Sequence, residues 1–135
     1  MIYFVDTSAF YASKDPSDKN SQKAKGFLEQ IKNDLTSKLI TSNFVLDETI
    51  TLIRMKLGHD AAVRFKQQIL KSDITEVIYI SEKIETNAWM IFKKYKDKDF
   101  SYTDCTSFAI MEELGLTHAF AFDKHFMQYG FIVVP

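Results

Sequence analysis

Short apolar runs alternate with longer amphipathic stretches along the whole chain, and this alternation constrains the fold more than any other feature. Ile2 to Val5 is apolar, β-branched and aromatic, stops at Asp6, and reads as a buried strand. Lys14 to Asn20 is polar, contains Pro16 and reads as loop. A helix is expected from Ser21 to Leu35, with Ala24, Phe27, Leu28 and Ile31 on one stripe. Leu39 to Thr41 is a short strand, after which Ser42 or Asn43 caps a helix from Phe44 to Leu57 that ends at Gly58. Asp60 to Leu70 is helical, Glu76 to Ile80 a strand, and Ser81 caps a helix whose stripe is Ile84, Ala88, Ile91, Phe92 and Tyr95. Thr103 to Leu114 is a further helix closed by Gly115, and Ala119 to Phe122 and Phe131 to Val134 are strands. Strands separated mostly by helices require βαβ crossovers. The expected architecture is therefore α/β: a three-layer α/β/α sandwich around a mainly parallel sheet of about five strands, with residues 1–135 as one domain.

Composition narrows the setting. The lone Cys105 excludes an intrachain disulfide and a multi-cysteine zinc site. Asp6 interrupts the N-terminus where a secretory leader would still be apolar, and no apolar run approaches the roughly 18 residues of a membrane span. A cytoplasmic protein with no membrane partner is expected. A net charge of −1 gives no global footprint for nucleic acid, so any such contact must be local. The twelve phenylalanines read first as core.

In parallel sheets ligands bind beyond the carboxyl ends of the strands. Asp6 and Asp123 each follow an apolar strand directly and would meet at that edge. A strand-end Asp is also a good turn or cap residue, so neither is decisive alone. On the Phe44 helix, Leu46, Ile50, Ile53 and Leu57 form the core stripe, and Asp47 falls on a polar side with Thr51 and Arg54. Glu48 falls between Phe44, Leu52 and Met55, a second apolar sector, and is preferred over Asp47 because an acid in apolar surroundings needs a partner. Ser101-Tyr-Thr-Asp104 has capping-box spacing, yet Asp104 shares its helix face with Phe108 and Met111 and so looks inward.

Four converging acids repel: at about 4 Å and an effective dielectric near 20, each pair costs roughly 4 kcal/mol. No histidine or cysteine accompanies them in ligand-like spacing, which disfavours zinc. Carboxylate oxygens alone select a hard cation, Mg2+ or Mn2+. Such an ion can activate water and neutralise charge building on a phosphate, so the expectation is a phosphodiesterase site.

The segments Asp6-Thr-Ser-Ala-Phe, Val45-Leu-Asp-Glu48-Thr, Tyr102-Thr-Asp104-Cys and Ala119-Phe-Ala-Phe-Asp123-Lys-His-Phe together resemble the PIN-domain nucleases, and most nearly the VapC-type toxins of prokaryotic toxin–antitoxin pairs. The likeness runs through essentially the whole chain in length and motif order. It implies a parallel-sheet sandwich and a metal-dependent endoribonuclease acting on RNA. By implication Asp6, Glu48, Asp104 and Asp123 are its acidic residues. Our own expectation is that Asp6 and Asp104 carry the principal ion, with Glu48 and Asp123 completing or supporting the site. Ser8 and Thr103 fall where the family places hydroxyls that orient the acids. The resemblance also implies a homodimer silenced by a small antitoxin. An RNA-processing nuclease outside any such pair, or a PIN-like module that binds RNA or protein without cutting, are the alternatives.

Substrate grip needs cations. Lys124, beside Asp123, is the preferred phosphate contact. The run Lys93-Lys-Tyr-Lys-Asp-Lys98 reads first as a soluble helix end. His125 is a possible acid–base assistant but reads more simply as an incidental surface residue, and His59 and His118 carry no signal. Cys105 reads as small core filler. A receiver domain would need adjacent acids after the first strand, and a dehalogenase-type phosphatase a second Asp where Ser8 stands.

Overall fold

A computed structural model describes Met1–Pro135. Five strands form one sheet in the order β3-β2-β1-β4-β5, and every pairing is parallel. In chain order the elements are β1 (Ile2–Val5), α1 (Thr7–Lys14), α2 (Ser21–Asn33), β2 (Lys38–Ser42), α3 (Asn43–Leu57), α4 (His59–Lys71), β3 (Thr75–Ile78), α5 (Glu82–Lys94), α6 (Tyr102–Leu114), β4 (His118–Phe120), α7 (His125–Tyr129) and β5 (Ile132–Val134). The sheet steps outward from β1 to β3 and returns past β1 to β4 and β5. With right-handed crossovers this reversal places the helices on both faces. The expected α/β/α architecture is the one observed.

Two helices are additional to the expected set. α1 is enclosed on nearly every side, burying Thr7, Ala9, Phe10, Tyr11, Ala12 and Ser13, so it carries no polar–apolar stripe by which periodicity could find it. α7 is a single short turn of helix. Strand ends shift by a residue or two. β4 stops at Phe120 instead of Phe122, β3 covers Thr75–Ile78 instead of running to Ile80, and β5 begins at Ile132.

The switch point lies between β1 and β4, where the strand order reverses. The Asp6 N–H donates to the Phe120 carbonyl at 3.1 Å, and the Thr41 hydroxyl donates to the Val5 carbonyl at 3.0 Å. These bonds lock the carboxyl ends of the three central strands level with one another. Ser42, not Asn43, caps α3: its Oγ accepts from the Val45 N–H at 3.0 Å. Asn43 instead holds the end of the neighbouring connection, accepting from the Ile80 N–H at 2.8 Å. Phe4, Phe65, Phe108, Phe120 and Phe126 are all fully buried, so much of the phenylalanine is core, as composition suggests.

Candidate active site

Asp6 leaves β1 and caps α1. Its Oδ2 accepts from the Ser8 N–H at 3.2 Å and from the Ser8 hydroxyl at 2.7 Å. The same hydroxyl accepts from the Phe122 N–H at 2.9 Å, so Ser8 joins the end of β1 to the end of β4. Asp104 completes a capping box at the start of α6: Ser101 Oγ accepts from the Asp104 N–H at 2.9 Å, and Asp104 Oδ2 accepts from the Ser101 N–H at 3.0 Å. Asp123 follows β4, and its Oδ1 accepts from the His125 N–H at 2.9 Å. Both expected roles of Asp104, cap and inward-facing acid, are thus present together.

The structure brings Asp6, Asp104 and Asp123 to one edge. Asp6 is 3% exposed and Asp104 6%. Burial, then the charge of Asp123, pushes the Asp6 carboxyl well above its ordinary range, with Asp104 adding to the effect. Asp104 is raised as well, mainly by burial, against its hydrogen bond from Ser101. Each proton held there offsets repulsion and lost hydration, and a bound cation would do the same.

Glu48 stands apart from this cluster. It is exposed and lines an open cavity of about 510 Å³ with Thr7 and Thr103, the neighbours of Asp6 and Asp104. The expectation that it points into apolar surroundings is corrected: Met55, on the same sector, is 80% exposed, because that side of α3 faces solvent. Thr103 lies on the same cavity wall; its carbonyl accepts from Thr106 and Ser107, whereas no bond ties its hydroxyl to an acid. Lys124 is exposed next to Asp123 and forms no ion pair.

His125 is the residue that sequence reasoning undervalued. Its Nδ1 lies 2.8 Å from Asp104 Oδ2, and donor atoms of Asp104, Asp123 and His125 fall within 4.8 Å of one another. The imidazole also packs edge-on against Phe100 at 5.7 Å. The reading that no histidine accompanies the acids is therefore overturned. The only sequence signal was its place two residues after Asp123, and the partner that matters is contributed by another element. Cys105 is fully buried, as core filler should be, with its thiol pushed up to about 11 by burial and by Asp104.

Two buried carboxylates of raised proton affinity, Asp6 and Asp104, with the part-buried Asp123 beside them, fit a hard divalent cation: the donors are mostly carboxylate oxygens, with one imidazole at hand. This edge, on an all-parallel sheet of this order, has relatives. Residues 3–132 match the PIN domain, and the chain belongs to the PIN-domain family. Over 133 residues, covering 98% of both chains, it is 34% identical to the 23S rRNA-specific endonuclease VapC20 of Mycobacterium tuberculosis. The crystal structure of that protein, described as a Sarcin-Ricin loop cleaving toxin, superposes with a TM-score of 0.89 over the full length of both chains. A VapC ribonuclease of Archaeoglobus fulgidus is 29% identical over 117 residues, 86% of this chain and 74% of that one. VapBC2 of Rickettsia felis, at 16% identity and a TM-score of 0.72 over 98% and 97% of the chains, shares the fold.

Proposed function

We propose that the chain is a divalent-metal-dependent endoribonuclease, the toxin of a toxin–antitoxin pair working in the cytoplasm. The observation that carries this reading is the convergence of Asp6, Asp104 and Asp123 on one largely buried edge, two of them with raised proton affinity. The VapC names of the relatives support the substrate class.

Asp6, Asp104 and Asp123 would hold Mg2+ or Mn2+, with Glu48 completing the set from the rim. The ion supplies activation of water and neutralisation of charge on the phosphate being cut. The chain's own residues do the rest. Ser8 fixes the Asp6 carboxylate, and Ser101 and His125 fix Asp104, so the oxygens stand ready before anything binds. Glu48, solvent-facing beside Thr7 and Thr103, accepts the proton of the attacking water. Lys124 meets a non-bridging phosphate oxygen. A second copy and a small antitoxin covering the acidic edge are the proposed protein partners.

Cleavage of RNA by the purified chain with Mg2+, with Mn2+, with EDTA and as Asp104→Asn tests the reading. Activity only with a divalent ion and an intact Asp104 is expected. Unchanged cleavage under all four conditions would overturn it. Calorimetry showing no Mg2+ or Mn2+ binding at millimolar concentration would favour the silent, binding-only module.

A further inference from the structure

The lysine run from residues 93 to 98 is unused by the chemistry above, yet it sits at the catalytic edge, between the end of α5 and the start of α6. Beside it two aromatic rings face solvent: Trp89 is 49% exposed and Phe92 42%. Three residues apart on α5, they lie nearly parallel, 15° between planes and 5.8 Å between centroids. Lys93 Nζ stands 6.0 Å from the centre of the Trp89 ring. Trp89, Phe92, Lys93, Lys96, Lys98 and Phe100 border a cavity of about 380 Å³, within the range that takes small organic groups.

The wall of this cavity packs against the residues that hold the acids. Its wall residue Phe100 packs on the His125 ring at 5.7 Å, and His125 bonds Asp104 at 2.8 Å. On the other side Phe92 lies 6.2 Å from the ring of Tyr102, two residues before Asp104. Lys98 is paired with Asp97 at 3.2 Å, whereas Lys93, Lys94 and Lys96 form no ion pair. Flat apolar faces and unpaired cations beside an acidic cluster match the parts of one nucleotide: base, phosphate and scissile bond.

We propose that the α5–α6 corner is a stacking subsite for one unpaired nucleotide of an RNA strand, flanking the bond that is cut. The base lies on Trp89 and Phe92, and its phosphate meets Lys93 and Lys96. A base inside a duplex has no free face to offer, so the subsite selects single-stranded or looped RNA. The inference rests on the nuclease reading above and adds the substrate feature recognised beside the acids.

Trp89 is the only tryptophan, so its emission reports on the subsite without any catalysis. In EDTA, titrating the full chain with a single-stranded RNA hexamer should quench Trp89 saturably, and the same strand in a duplex should not. With Mg2+ or Mn2+, Trp89→Ala and Phe92→Ala should each raise KM for single-stranded RNA about 5- to 150-fold, the range of one lost stacking contact. Their kcat should change much less, and Phe92→Tyr should restore KM. Both side chains are about half exposed and lie outside the hydrophobic core, so truncation leaves the core intact. Absence of quenching, or an unchanged KM in both alanine variants, overturns the subsite while leaving the nuclease reading in place. Emission that changes with protein concentration alone also overturns it, because the rings then face a second copy. If no RNA is cut with either metal the nuclease reading falls, and the titration in EDTA still decides whether a base stacks here.

Discussion

The Ser8 hydroxyl accepts a hydrogen bond from the Phe122 N–H at 2.9 Å, tying together positions 114 residues apart. Because the same hydroxyl donates to Asp6 at 2.7 Å, one small side chain sets both the spacing of the strand ends and the aim of a carboxylate. Ser8→Ala leaves the Phe122 N–H without its partner and Asp6 with fewer donors. A loss of about 1–3 kcal/mol in urea unfolding is expected, with weaker Mn2+ binding by calorimetry. Stability and metal affinity both equal to wild type would show that Ser8 is dispensable.

Asp6 links pH to stability. Its raised proton affinity means that, as pH climbs above the ordinary aspartate value of 3.8, the folded chain keeps a proton that the unfolded chain has lost. Metal-free stability therefore falls as pH rises through that window and stays low once Asp6 ionises. Asp6→Asn should flatten the fall and stabilise the metal-free protein at neutral pH, by about 1.4 kcal/mol for every tenfold by which folding strengthens proton binding at Asp6, while abolishing cleavage. Urea melts at several pH values in EDTA give the comparison; parallel profiles for the two proteins would contradict the argument.

His125 acts through Asp104. Replacing it with Ala removes the 2.8 Å contact. Divalent affinity and cleavage should drop about 10- to 100-fold, as for other groups that orient metal-binding carboxylates. Calorimetry with Mn2+ and cleavage rates at saturating metal separate binding from turnover, and wild-type values in both would return His125 to the status of a surface residue.

Cys105 should be chemically silent in the folded chain. Full burial and a thiol pushed up to about 11 leave almost no accessible thiolate at pH 8. Iodoacetamide should label it only after denaturation, as mass spectrometry would show; rapid labelling of native protein would mean that α6 opens readily.

Much of the fold was legible because its signals are local. Ile2–Val5 and the Gly58 and Gly115 stops sit where pattern and cap chemistry place them. Asp6 and Asp123 were legible for the same reason, as acids ending apolar runs. What escaped was set by tertiary packing. α1 is buried all round, so its helical period has no contrast. Glu48 shares a wheel sector with Met55, but a wheel cannot say whether an apolar sector meets the core or the solvent. His125 gains its meaning from Asp104, which arrives on a helix from the other side of a crossover.

The pairing of β1 with β4 makes the acidic edge a product of long-range folding. Asp6 leaves the first strand and Asp123 follows the fourth, so no short stretch of chain carries the cluster by itself. A partly folded state in which β4 has not docked beside β1 would leave the two carboxylates far apart in solvent, Asp6 at ordinary proton affinity, with no shared pocket for a cation.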